Sequence, residues 1–401
     1  MELNFEKLIN FDLVEDLEKA IFKEDAGWRR FRDFYDTFHD IQIADSFIRD
    51  CPSFPGSTDK IIRSEMVSAI GATLAIEGTR LGADEIEESF RKAQAHGKLA
   101  RAEQEADNSR KVYEFIAEYV YSLAEKGEEL TYTEQLIHQI HKYFTDGLNY
   151  LDNVPGQYRG EFPTTFGEPR RVGLCRTGTE VSCAMTKFTN WLNAAAHGPL
   201  SANTIVRAIM AHYYLTEIHP FADGNGRTAR ALEALILYVT GINAYCFWSL
   251  ANFWSMNRDK YIDELGKIRR TSDPWDLLIW GMKGYLQEIQ RIKQKVLEKV
   301  KELMLTDYTK YLLDTKKHQK VQINDRILTI VRMLVRSGPT PLSKLQSSPE
   351  LAALYSNRTV ATRNRDLRKM KSLGLVRISG EDKNTFIEAN FQILETLIYK
   401  V

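Results

Sequence analysis

His219-Pro220-Phe221-Ala222-Asp223-Gly224-Asn225-Gly226-Arg227-Thr228-Ala229-Arg230 is the stretch on which the reading of this 401-residue chain turns. Before it runs an apolar stretch at helical spacing (Ile205, Val206, Ile209, Tyr213, Leu215, Ile218). Pro220 biases His219 out of that helix. Gly224-Asn225-Gly226 can take positive φ and bring backbone N–H groups up to an anion. A second helix is expected from Arg227 to Tyr238, with Leu232, Leu235 and Ile236 on its buried side. Its N-terminus offers partial positive charge and free amides, a site for phosphate. Arg227 and Arg230 stand one turn apart on one face and can fork onto phosphate oxygens. Asp223 is a hard oxygen ligand that suits Mg2+. His219 titrates near neutrality, which makes it the candidate general base. Together these residues form a kit for a nucleoside triphosphate. The plain alternative is a Gly-rich loop joining two core helices.

The run resembles the signature of the Fic family, His-x-Phe-x-Asp/Glu-Gly-Asn-Gly-Arg-x-x-Arg, at every fixed position. The resemblance implies a mainly α-helical, Fic-type core with a small β-hairpin flap. It also implies transfer of AMP from ATP to a hydroxyl of a target protein, or of the chain itself. On that resemblance His219 deprotonates the Ser, Thr or Tyr hydroxyl, and Asp223 holds Mg2+ on the α- and β-phosphates. Gly224, Asn225 and Gly226 cradle the phosphates, and Arg227 and Arg230 contact the β- and γ-phosphates. A phosphorylating branch of the family carries lysine where this chain has Gly226.

Three more segments share the resemblance. Thr73-Leu74-Ala75-Ile76-Glu77-Gly78 is similar to the family's inhibitory motif, Ser/Thr-x-x-x-Glu-Gly/Asn. There the glutamate pairs with the last signature arginine, here Arg230, and a carboxylate on that guanidinium takes away a γ-phosphate partner. The alternative is an ordinary helix end, with Glu77 solvated and Gly78 as cap. Gly156-Gln157-Tyr158-Arg159 resembles the lead-in to the flap, expected within 163–181 with Val172-Gly173-Leu174 as one strand. Such a hairpin holds a target by strand addition, and Glu168, Arg170, Arg171 and Arg176 are charges that can select one. A surface loop is the other reading. Arg258-Asp259-Lys260-Tyr261 resembles the stretch in which a tyrosine, here Tyr261, contacts the nucleotide; relatives often have a second tyrosine where this chain has Ile262.

Composition bounds the rest. Hydrophobic residues at 43% and charged residues at 27% describe a globular chain. The net charge of zero implies no global polyelectrolyte partner. No signal peptide or membrane-length apolar stretch is visible, and Cys51, Cys175, Cys183 and Cys246 read as free thiols, so a cytoplasmic protein is expected. His138-x-x-His141 lacks a third ligand at zinc spacing.

Helical patterning is expected over 57–105, 109–126, 133–144, 180–195, 203–218 and 227–240, then along a long charged helix from about Asp273 to Leu313. The apolar spacing within 287–300 suits a core stripe, a linker or a homodimer contact. The hydrophilic run 315–320 marks a boundary. The expected organisation is an N-terminal region (1–115) with the inhibitory motif, a catalytic core (116–315) and a C-terminal module (321–401). That module patterns as three helices and a two-stranded wing, like a winged helix. Its third helix is expected from Asn357 to Leu373, capped by Ser356, with Val360, Leu367 and Met370 inward. Gly380-Glu381-Asp382-Lys383 is the expected wing turn. The module has thirteen Lys/Arg against seven Asp/Glu, a surplus of six. Arg358, Arg363, Arg365, Arg368, Lys369 and Lys371 crowd the third helix. DNA contact, a protein-docking role and a merely solvated face all remain open. So do two rivals to AMP transfer: a nucleotide-sensing DNA-binding regulator, and an enzyme that mainly removes AMP.

Overall fold

The computed structural model describes residues 9–23, 27–51, 58–148, 153–167, 170–241, 250–315, 321–380 and 385–398. Cys246, Glu168, the run 316–320 and most of the expected turn at 381–383 lie outside the described residues, as does the side chain of Arg171. The chain is mainly helical and divides into two compact units, Met1–Lys293 and Gln294–Val401. Among the described residues no helix is long and apolar enough to cross a membrane. Cys51, Cys175 and Cys183 are free, and burial pushes the Cys175 thiol up to about 12.

The first unit opens with α1 (Leu13–Ile21), α2 (Gly27–Asp50), α3 (Thr58–Ile76), α4 (Ala83–Gln94), α5 (Arg101–Lys126) and α6 (Glu134–Thr145). The hairpin β1 (Thr165–Phe166) and β2 (Arg171–Val172) follows. Then come α7 (Gly178–Asn193), α8 (Thr204–Ile218), α9 (Asn225–Val239), α10 (Ala251–Met256), α11 (Arg258–Thr271) and α12 (Trp275–Thr315). The division between units falls within α12, and Ile289 and Ile292 of its patterned stretch are buried.

Helix α8 is the axis of the first unit. Ile205, Val206, Ile209, Met210, Tyr214, Leu215 and Ile218 are all buried, so the helix is enclosed on most of its circumference, as a central helix must be. Asn203 caps it by accepting from the amides of Ile205 and Val206. Helix α9 packs along it, with Ala231, Leu232, Leu235 and Leu237 buried. The expected helix over 57–105 is broken twice. Gly78, at φ 96°, ends α3, and the linker from His96 to Ala100 separates α4 from α5. The expected strand at 172–174 instead ends at Val172, in a two-residue pairing of Thr165 with Val172 and Phe166 with Arg171. Beyond it the Gly173 amide donates to the Thr164 carbonyl and closes the ladder.

The second unit holds the remainder of α12, α13 (Val321–Ser337), β3 (Thr340–Pro341), α14 (Leu342–Gln346), α15 (Pro349–Leu354), α16 (Val360–Ser372), β4 (Val376–Ser379), β5 (Phe386–Ala389) and α17 (Gln392–Ile398). Its antiparallel sheet runs β3-β5-β4. Ile327, Val331, Leu334, Leu345, Met370, Leu375 and Ile387 form the core. Helix α16 starts at Val360 and not at Asn357, because the hydroxyl that accepts the first-turn amide (that of Thr362) belongs to Thr359, not Ser356. Val360 shares helical phase with Leu367, but as first helical residue it is not packed into the core and is 63% exposed, contrary to expectation. Helix α15, capped by Ser348, and strand β3 were not anticipated.

Candidate active site

The α8–α9 corner carries the quoted run. His219 caps α8 in the left-handed conformation (φ 51°, ψ 59°), an uncommon state for a residue with a Cβ. It is enforced from outside. Arg159, 3% exposed, donates from Nε to the His219 carbonyl at 2.8 Å, and its other nitrogens donate to the carbonyls of Phe162 and Cys175. The Arg159 amide also donates to the Pro220 carbonyl at 2.9 Å. One buried guanidinium thus ties the His219 corner to both ends of the hairpin segment.

The loop is braced from within by Asn225, whose side chain accepts from the Phe221 amide and donates to the Phe221 carbonyl, both at 2.9 Å. It is braced from below by His141. That ring stacks on Phe221 at 3.7 Å and 2°. Its Nδ1 accepts from the Gly156 amide at 3.0 Å, which leaves Nε2–H to donate to the Asp223 carbonyl at 2.9 Å. Burial lowers the His141 pKa to about 4. The neutral tautomer needed for both bonds is therefore kept at physiological pH. Gly224 (φ 77°) sits against the edge of the same ring and N-caps α9, which begins at Asn225, two residues earlier than expected.

A cavity of about 320 Å³ opens at this corner. Its lining brings together Glu77, Arg170, His219, Gly226, Arg230 and Tyr261, all singled out in the sequence, with Phe166 of the hairpin. The Phe166 ring stacks on His219 at 4.2 Å and 2°. His219 Nδ1 faces the Thr216 carbonyl at 3.3 Å, so that nitrogen carries the hydrogen and Nε2 is the basic one. Gly224, Asn225, Arg227 and Asp223 do not line this cavity. Arg227 turns back onto Asp223 (Nη2 to Oδ2, 2.9 Å). The two arginines therefore engage different carboxylates.

Arg230 is 1% exposed. It donates from Nε to Thr73 Oγ1 at 2.8 Å, and from Nη2 to the Thr73 carbonyl at 3.2 Å and to Glu77 Oε1 at 2.6 Å. Both polar positions of the Thr-x-x-x-Glu motif thus meet one guanidinium. Glu77 keeps 40% of its side chain exposed toward the cavity, while its carboxylate tip is densely surrounded. Burial of that tip works to raise its pKa, but the Arg230 charge and hydrogen bond outweigh it and hold Glu77 below its ordinary range. Gly226 makes the approach possible: a Cβ there would collide with Glu77 Oε1. Arg258 Nε caps the end of α3 at the Ile76 carbonyl, 3.0 Å away.

Behind Arg230 lies Tyr261, whose phenol burial pushes up to about 12, so it stays neutral. Its hydroxyl meets His212 Nε2 at 2.8 Å, and His212 Nδ1 donates to Glu233 at 2.6 Å. Arg159, His141 and Thr73 had sequence signals, in the flap lead-in, the His-x-x-His pair and the inhibitory motif. Their bonding roles did not.

Residues 131–237 match the family model described as Fic/DOC family. A protein adenylyltransferase Fic from Culex quinquefasciatus is 44% identical over 174 residues, 40% of this chain and 31% of that protein. One from Aedes aegypti is 30% identical over 131 residues, 29% of this chain and 25% of that protein. The matched stretch thus spans less than a third of either relative's length. A crystal structure of a Fic family protein from Desulfovibrio desulfuricans G20 superposes with a TM-score of 0.53 at 16% identity, covering 89% of this chain and 95% of that one. At that identity the likeness is one of fold. Over residues 131–237 the chain is thus similar to the Fic/DOC family.

Proposed function

We propose that this protein transfers AMP from ATP to a hydroxyl of a protein, and that Glu77 restrains the transfer. The observation that supports this best is the shared cavity lined by His219, Gly226, Arg230, Tyr261 and Glu77. His219 Nε2 takes the proton of the attacking hydroxyl. The hydroxyl oxygen bonds to the α-phosphorus as the bond to the bridging oxygen breaks, and pyrophosphate departs with the electron pair. The α9 N-terminus offers amides to the phosphate oxygens, and Arg227 and Arg230 become donors to them once Asp223 and Glu77 release their guanidiniums. The hairpin edge, β1 with β2, offers backbone to an extended target segment.

Mg2+ fits Asp223. Its carboxylate is part-exposed, and it is Oδ2 that meets Arg227. One carboxylate with substrate phosphates and water is how proteins commonly hold this ion. When bound, it neutralises phosphate charge.

Glu77 occupies the Arg230 nitrogen that a γ-phosphate would use, and adds negative charge to the same cavity. A triphosphate entering past it carries its α-phosphate off the line of attack. The test is incubation of wild type and His219→Ala with Mg2+ and ATP labelled at the α-phosphate, with the protein-bound label located by mass spectrometry. Covalent AMP on a hydroxyl that requires His219 supports the reading. ATP binding with no covalent label, even when Glu77→Gly is added, refutes it.

A further inference from the structure

We propose that α16 is a reading helix for double-stranded DNA, which makes the second unit a winged-helix module. Helix α16 spans 13 residues and carries one acidic residue, Asp366. That acid is 1% exposed and wholly internal: Arg326 of α13 donates to it from Nε at 2.9 Å and from Nη2 at 2.8 Å, and Tyr355 adds a third bond at 2.9 Å. The inward stripe is completed by Leu367 and Met370 in the core. With the acid consumed on the inside, the outward face carries cations and no acid. Ala361, Asn364, Arg365, Arg368 and Lys371 are exposed and recur at helical spacing, so they share one stripe.

Three features of this face favour duplex DNA over an acidic peptide. Its cations run along a rigid cylinder, about 10–12 Å across, that the buried Arg326–Asp366 pair holds in place, and the major groove is about 12 Å wide. An exposed amide, Asn364, lies among the cations, suited to the paired donor and acceptor of adenine. The exposed Val360 at the first turn, with no core to join, suits apolar contact with a thymine methyl. Residues 321–401 carry a charge surplus of six and residues 1–320 a deficit of six, so a polyanion is attracted to the C-terminal segment.

The test uses the full chain without ATP, which makes it independent of AMP transfer. A fluorescent 30-base-pair duplex of mixed sequence is titrated by anisotropy from 50 to 250 mM salt, against wild type and Arg365→Ala/Arg368→Ala/Lys371→Ala. All three side chains are exposed, and circular dichroism confirms that the variant is folded. The wild type is expected to bind with affinity that falls steeply with salt. The variant's log–log slope should be shallower by about 2.7, 0.9 for each lost phosphate contact. Lys344→Ala, on α14, serves as a control of equal charge type and leaves the slope within about 1 of wild type. No binding at 50 mM salt, an unchanged slope in the triple variant, or equal competition by poly-glutamate overturns the proposal.

Discussion

Replacing Glu77 by glycine should weaken the fold and raise the activity together. The pair it removes joins a side chain that is 1% exposed to one that is 40% exposed, 2.6 Å apart. Breaking a fully buried pair costs about 3–5 kcal/mol. Here the Glu77 side chain borders the cavity and Arg230 keeps both bonds to Thr73, so about 1–2 kcal/mol is the appropriate scale. For a unit of this size that lowers Tm by about 2–6 °C. The vacated guanidinium is then open to phosphate, so MgATP should raise Tm more in the variant than in wild type. The reactive phosphate is no longer mis-set, and the label incorporated from α-labelled ATP should rise on the order of 100-fold. Glu77→Gln, which keeps a hydrogen bond but no charge, should fall between. A Glu77→Gly protein that binds MgATP and yet labels no faster than wild type refutes the inhibitory reading. If the same variant also loses the ability to release AMP from pre-modified protein, Glu77 serves removal instead.

Gly226→Ala pushes its new Cβ against the Glu77 carboxylate, which can swing aside at no more than the cost of its pair with Arg230, about 1–2 kcal/mol; in the Glu77→Gly background most of that cost should vanish, and a double-mutant cycle by urea unfolding reads the coupling. His141 is neutral in the fold down to about pH 4 but protonates near 6.5 when unfolded. The unfolded state therefore binds more protons between those values, so the contribution is full above about pH 6.5 and is lost as pH falls toward 4, roughly 3 kcal/mol in all. Unfolding curves of wild type and His141→Gln from pH 7 to 4 should converge, with the variant flatter. Arg159→Ala orphans the carbonyls of His219, Phe162 and Cys175, and should cost about 2–4 kcal/mol in chemical denaturation; Arg159→Lys should recover little, since one ammonium cannot reach three diverging acceptors.

The α8–α9 corner was legible because its residues are local: a Pro after a helix end, glycines that permit a turn, and charges at fixed offsets. The Glu77–Arg230 pairing, 153 positions apart, followed from a motif resemblance and not from any local rule. What stayed hidden is what distant segments do to that corner. Nothing in Gly156-Gln157-Tyr158-Arg159 says that the guanidinium turns inward onto three carbonyls, nor does His138-x-x-His141 say that one ring buttresses a loop 82 positions on. The α16 start was misplaced because Ser356 and Thr359 are equally good caps by type, and the choice depends on the preceding α15, whose pattern is too short to see. The two-residue strands of the hairpin are likewise shorter than any alternation can reveal.

Arg230 is held by Thr73 through two bonds that do not involve Glu77. When the carboxylate leaves, neither the guanidinium nor α3 has to follow. On the proposed reading the off state is then a rotamer, and rotamers of part-exposed side chains exchange in picoseconds to nanoseconds. Such a brake has no memory. It imposes no lag on the first turnover and leaves no hysteresis after ATP is withdrawn. It sets the steady rate as the fraction of time the carboxylate spends swung away, so an open fraction of about 1% permits about 1% of the unrestrained rate. Any contact that biases that one torsion, however weak, regulates the enzyme in proportion.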